Sequence, residues 1–351
     1  MLRLLLIFAF VATQTLSALT VRDIGIYNDT NETLWPEGGA FPALVTALSS
    51  LATDKGYTWE YIDADDVNNN DLSQYYKMLW FPGGWAGGYN EYINETGYQN
   101  IRDFISSGGS YMGMCAGSFF VCDFVYWREN FDEVDTPQNI YDYPLDLWPG
   151  IADGAILDFQ PWDTVGDCFF GTRMADIRID NTLLPEADPV VNMLYWGGPI
   201  FRPRAGDWGN TKVIARYEMD GFSADEFAAM ILFPYGSGRV FLSAIHPELS
   251  IRQNPSTNEC EFYYNLTSRR FLGQIMDRML APADSPTTGP VALGKVLRFD
   301  TVQGFRYQLE SSSNGQTWND YGNEIEANAF EYSVSIPASD AGLEFRIKRV
   351  D

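Results

Sequence analysis

From residue 23 to residue 114 the chain repeats one unit: a short apolar β run, a polar or glycine-rich corner, then a stretch with helical spacing. "DIGIYND" (23–29) is the first β run. "FPALVTALSSLATDKG" (41–56) carries apolar residues at helical intervals and stops at Gly56. "YTWEYIDADD" reads as a second strand and "YKMLWFPGGWAGGY" as a third that runs into glycines. "YQNIRDFISSGG" is a helix closed by Gly108 and Gly109, and "SYMGMC" is the fourth strand. Parallel strands need long crossovers, which helices supply, so the alternation predicts an α/β fold with a mostly parallel sheet flanked by helices. Ligands of such sheets gather at the carboxyl ends of the strands, where the Gly83–Gly88 loop and Cys115 fall.

The stretch 124–212 is less regular, and "ILDFQPW", "MADIRI" and "VNMLYWGGPIFRPRAGDW" read as strands and loops that extend the core. "KVIARYE" follows. "AAMILFPYGSGRVFLSAIHPE" then reads as a hairpin around Gly236 and Gly238 that delivers His246 at a strand end, before a closing helix in "EFYYNLTSRRFLGQIMDRML". "APADSPTTGP" (281–290) is a linker by composition. Beyond it, "KVLRFDTV", "FRYQLESSSNGQTW", "FEYSVSI" and "LEFRIKRV" alternate with period 2, and "SNGQ" supplies an Asn-Gly turn. The expected organisation is an α/β domain over 19–280 and a small all-β, sandwich-like module over 291–351.

The opening "MLRLLLIFAFVATQTLSALT" has a basic residue, an apolar run and small residues up to Ala18, the pattern of a secretory signal over 1–18. The other reading is an uncleaved membrane anchor. No later stretch approaches the roughly 20 apolar residues of a membrane span. The expected location is secreted or extracytoplasmic, and sequons at Asn28, Asn31, Asn94 and Asn265 fit a glycoprotein. A net charge of −24 with no basic cluster excludes nucleic acid as a natural partner.

Four cysteines in 351 residues do not make a disulfide framework. Cys168 and Cys260 could pair. Cys115 and Cys122 would sit about 10 Å apart on one helix, beyond disulfide reach. No CxxC pair or histidine cluster suggests a metal, and no cofactor is implied.

Three pieces carry chemistry. Gly113-Met114-Cys115-Ala116-Gly117 has the G-x-C-x-G form of a nucleophile elbow, where a sharp strand-to-helix turn exposes the sulfur at a helix N-terminus that favours thiolate. His246, the only histidine, has Glu248 two residues on, a base and a carboxylate to orient it. In "FPGGWAGGY", Gly83, Gly84 and Trp85 can turn backbone N–H groups toward an oxyanion, with the Ala116 N–H as second donor. Each piece alone reads as structure: a core thiol, a packed imidazole, a turn. Their order along the chain, each at a strand end, points to a site.

These residues resemble the class I glutamine amidotransferase-like superfold, which is flavodoxin-like. "LWFPGG", "GGSYMGMCAGSFF", "LYWGGPIF" and "GSGRVFLSAIHPEL" are more specifically similar to the biotin–protein ligase N-terminal-like domain. The resemblance covers about 21–280. It implies Cys115 as nucleophile, His246 as base, Glu248 as orienting acid, Gly83 and Gly84 at the oxyanion loop, and Gly197-Gly198-Pro199 along the pocket. Neither a ligase catalytic domain nor an ammonia-receiving synthase domain is recognised in the chain.

The expectation is therefore a secreted hydrolase of a small amide or peptide bond, using a Cys-His-Glu catalytic triad. Two alternatives stay open: a non-catalytic module binding a small molecule or glycan, with the β module docking to a surface or glycan, and an inactive scaffold. Among other residues, Cys122 reads as a core thiol. Arg202 and Arg204 read as surface ion-pair partners before substrate clamps, and Asp63, Asp65 and Asp66 as a solvated loop. Trp85 and Trp196 are expected in the pocket walls, while Trp80, Trp162 and Trp208 are expected in the core.

Overall fold

A computed structural model of the chain describes residues 19–28, 41–127, 139–156, 172–203, 208–218, 227–254, 257, 259–281, 293–300, 306–314, 316–321, 324–326, 331–337 and 343–350. The signal expected over 1–18, nearly all of the expected linker, Cys168, Arg204, Trp162 and the sequon at Asn31 lie outside these residues. The chain divides into two compact units, Met1–Ala283 and Asp284–Asp351.

In the first unit the parallel half of the sheet forms from β1 (Ile24–Tyr27), α1 (Phe41–Asp54), β2 (Trp59–Ile62), α2 (Ala64–Asn69), β3 (Met78–Phe81), α3 (Ala86–Tyr92), α4 (Glu95–Ser106), β4 (Ser110–Met114) and α5 (Ala116–Phe119). The irregular middle supplies β5 (Cys122–Trp127), β6 (Asn139–Asp142), β7 (Trp148–Gly154), β8 (Thr172–Ile179), β9 (Val190–Trp196), β10 (Ile200–Pro203) and β11 (Lys212–Tyr217). The unit closes with β12 (Ala228–Tyr235), β13 (Gly238–Ser243), β14 (Ser250–Gln253), β15 (Cys260–Tyr263) and α6 (Leu266–Leu280).

A 13-stranded sheet runs β2-β1-β3-β4-β13-β12-β10-β7-β5-β6, with β11 leading from β12 to β8 and on to β9. The first five strands are parallel. β1, β3 and β4 are buried along their whole length, as strands covered on both faces must be, and their sequences are correspondingly continuous apolar runs. Beyond β13 the sheet turns mixed. Tyr235 pairs with Gly238 across a two-residue turn in which Gly236 takes φ 57°, and so tight a hairpin forces β12 to run antiparallel. The fold is the expected α/β architecture, parallel over one half.

Two local expectations fail. Cys122 does not share a helix with Cys115: α5 ends at Phe119, and Cys122 opens β5, whose "CDFVYW" pairs with β6 and β7. Both thiols are free and buried. The acidic run is no solvated loop either. Asp63 caps α2 by accepting from the Asp66 N–H at 3.0 Å, and the Asp66 carboxylate accepts from the Asp63 N–H at 3.1 Å, a reciprocal capping box. Asn94 and Asn265 cap α4 and α6 in the same way with their side-chain oxygens.

The second unit is all β among the described residues. β16 (Leu293–Asp300) pairs with β20 (Glu331–Pro337). β17 (Arg306–Ser312) pairs with β18 (Asn319–Asp320), β19 (Ile325–Glu326) and β21 (Glu344–Arg349). Among the described residues no helix is long and apolar enough to cross a membrane.

Candidate functional site

Cys115 sits between β4 and α5 at φ 45°, ψ −105°, a conformation that costs a non-glycine residue about 1–3 kcal/mol. Its neighbours are small because nothing larger fits. A methyl on Gly117 would collide with the Phe81 carbonyl, and one on Gly113 with the Gly117 carbonyl. The Cys115 N–H donates to Ser243 O at 2.7 Å, which ties the corner to the end of β13.

Three residues past β13, the His246 N–H donates to Leu194 O at 2.8 Å and so fixes the ring against β9. His246 is 1% exposed and Glu248 is fully buried. Ring Nδ1 lies 2.8 Å from Glu248 Oε1, and the ring also hydrogen-bonds Cys115. Burial works against charge on the imidazole, but the Glu248 carboxylate and the Cys115 bond outweigh it and hold the pKa up at about 10. Gly83 packs on the ring: a methyl there would collide with His246 Cε1.

Four buried tyrosines anchor the surrounding corners. Tyr89 donates to Pro82 O (2.7 Å), Tyr111 to Gly117 O (2.8 Å), Tyr195 to Gly198 O (3.0 Å) and Tyr217 to Pro199 O (3.0 Å). Burial pushes the Tyr89, Tyr111 and Tyr217 phenols well above the usual range, so each keeps the proton it donates. The corners are held from beneath, and the space above them is preformed.

That space is a pocket of about 350 Å³ with Cys115 in its wall. Trp85, Phe119, Trp127, Tyr143 and Trp196 are the aromatic residues in its lining. Of the residues expected from sequence, the structure brings Gly84, Trp85, Cys115, Trp196 and Gly197 to the pocket itself. His246 and Glu248 stand behind the sulfur. Gly83 backs the imidazole, Ala116 begins α5, and Gly198 and Pro199 face the tyrosine anchors. The N–H groups of Gly84, Trp85 and Ala116 donate to no acceptor among the described residues.

The sequence reading missed Phe119, Trp127 and Tyr143. They belong to no motif, and only the density of aromatics through "SFFVCDFVYW" hints at the first two. Arg202 pairs with the buried Asp153 at 3.2 Å. Trp80 is fully buried, and Trp208 stacks on Trp148. Cys260 is disulfide-bonded. Among the described residues no cluster of His, Cys, Asp and Glu is arranged to hold a metal.

The chain matches the family described as "Biotin-protein ligase, N terminal" over residues 26–271. It is 31% identical over 199 residues to a biotin–protein ligase of Schizosaccharomyces pombe, an alignment covering 57% of this chain and 30% of that one. An uncharacterized protein of Chlamydia muridarum is 26% identical over 175 residues, with 49% of this chain and 60% of that protein covered. The chain thus spans less than two thirds of either relative. A β-galactosidase from Bacillus circulans superposes with a TM-score of 0.43 at 12% identity, covering 93% of this chain and 41% of that one.

These matches correct the expectation of a secreted glycoprotein hydrolase with a catalytic triad. The family and the first relative are named for a ligase, an enzyme that joins rather than cleaves, and neither name speaks of secretion or glycosylation.

Proposed function

The chain belongs to the biotin–protein ligase N-terminal family, and from that premise we propose that its α/β unit is a binding domain for biotin or a biotin-like ligand. The observation that carries this is the preformed aromatic pocket of about 350 Å³ at the carboxyl ends of the parallel strands, sized for one small ring-bearing molecule. Trp85, Trp127 and Trp196 offer apolar area for a fused bicycle, and burial of that area drives association. Cys115 opens onto this pocket, and behind it His246 Nδ1 lies 2.8 Å from the Glu248 carboxylate. The strand order of the parallel half and the G-x-C-x-G elbow support a class I glutamine amidotransferase-like superfold for this unit.

The test is titration of the whole chain with biotin, followed by calorimetry and by tryptophan fluorescence. Three tryptophans in the pocket make quenching the expected signal, and Trp127→Ala should weaken it. No heat and no quenching at any biotin concentration reached would overturn the reading.

A further inference from the structure

We infer that the Trp85 indole is a two-position gate at the pocket mouth: it rests on Gly87 in one position and covers the opening in the other. The gate is a property of the free chain and goes beyond the reading of the pocket as a biotin site.

Trp85 lines the pocket and is 53% exposed, and it alone of the described lining residues is exposed. A side chain that faces both cavity and solvent stands at the rim. The other tryptophans of the lining are held by rings. Trp127 meets Phe119 edge-on at 5.6 Å between centroids, and Trp196 lies 6.0 Å from Phe262 and 6.3 Å from His246. The Trp85 indole makes no hydrogen bond and no ring contact among the described residues.

What it touches is Gly87. A methyl on Gly87 would fall 2.7 Å from indole Cε2, 2.8 Å from Cζ2 and 2.9 Å from Nε1, so the ring lies directly against a bare Cα. Gly87 is inside α3, where alanine is the stronger helix former; what glycine supplies there is room for the indole. Along the chain Trp85 stands in "PGGWAGG", with no neighbour larger than alanine from Gly83 to Gly88. Its other staggered χ1 wells are therefore not crowded by adjacent side chains.

The seat on Gly87 leaves over half of a large apolar side chain in water. Rotation toward the cavity that Trp85 already lines buries that surface, and the burial offsets the loss of the seat. Two positions of comparable free energy follow. A flat ring in the pocket adds a face to stack on and tips the balance toward the covering position.

The test reads the indole ¹⁵Nε1 signal of Trp85 in the whole chain, identified as the one lost in Trp85→Phe. Trp85 should show an order parameter below about 0.6, or exchange broadening if the swing is slower, with Trp127 and Trp196 at about 0.85. Gly87→Ala removes the seat while favouring the helix, so the variant should fold. Trp85 should then be confined to the covering position, its resonance moved and its order parameter raised to that of Trp127. A wild-type Trp85 as rigid as Trp127 would overturn the inference, as would a Gly87→Ala chain in which Trp85 is equally or more mobile. Saturating biotin should move the Trp85 resonance in the same direction as Gly87→Ala. If the free-chain results hold and biotin changes nothing, the gate stands and the biotin reading falls. If Trp85 is rigid and biotin binds, the gate falls and the reading stands.

Discussion

Cys115 and His246 were legible in the sequence because their chemistry has few alternatives: one imidazole in the chain, and one cysteine framed by glycines. The frame is legible because it is steric. Gly113 and Gly117 are demanded by carbonyl oxygens that leave no room for a Cβ. Trp85 and Trp196 could be placed in the pocket wall because they sit in glycine loops, but Phe119, Trp127 and Tyr143 could not, since they act by shape and any large apolar residue reads alike in sequence. The single histidine also makes a clean experiment. Its pKa is held near 10 by Glu248 and Cys115 against a burial effect of opposite sign. Glu248→Gln should let burial dominate and bring the midpoint down to 6.5 or below, read from the one imidazole Cε1 proton signal in an NMR titration. A group whose folded pKa is raised contributes stability that is complete below its unfolded value and is lost as pH rises through the folded one. Wild type should therefore exceed the variant in stability most clearly below about pH 6.5, with the gap closing toward pH 10. An unchanged midpoint would show that the carboxylate does not set the ring's proton affinity.

At the scale of elements, periodicity revealed what is local and missed what is not. α1, α4 and the strands β1, β3 and β4 follow from spacing and glycine stops. The pairings of β7 with β10 and of β10 with β12 join separate stretches of the chain, so nothing in their own residues specifies the neighbour. α2 shows a different failure, because an Asp-rich run reads as loop until the reciprocal cap is seen. The same cap carries a pH dependence. Burial pushes Asp66 up to about 6, with Asp63, Glu60 and Asp65 adding repulsion and the bond from the Asp63 N–H opposing it. The folded pKa lies above the unfolded 3.8, so this residue's contribution to stability is complete below pH 3.8 and is lost as pH rises through about 6. Asp66→Asn keeps an oxygen for the cap and removes the titration. Urea unfolding between pH 4 and 7 should show the wild type losing ground to the variant across that interval. Parallel curves would mean the carboxyl is not shifted.

For the molecule as a whole, the pocket draws its walls from both halves of the sheet. Gly84, Trp85 and Cys115 come from the parallel half, and Val125, Trp127 and Tyr143 from the segment around β5 and β7. A ligand that touches both sets adds contacts between strands far apart in sequence, so binding should stabilise the first unit as one body. The second unit, 284–351, has its own sheets, and the described residues that line the pocket all belong to the first unit. Scanning calorimetry of the full chain should thus show two transitions. Biotin at a hundred times its Kd adds about 2.7 kcal/mol to the state that binds it, which for a core of this size raises Tm by on the order of 5 °C. Only one transition should move, and the same transition should survive in a chain cut to 19–283. If both transitions shifted together, or a single one were seen, the two units would share one cooperative core. The division at residue 283 would then describe contacts and not folding.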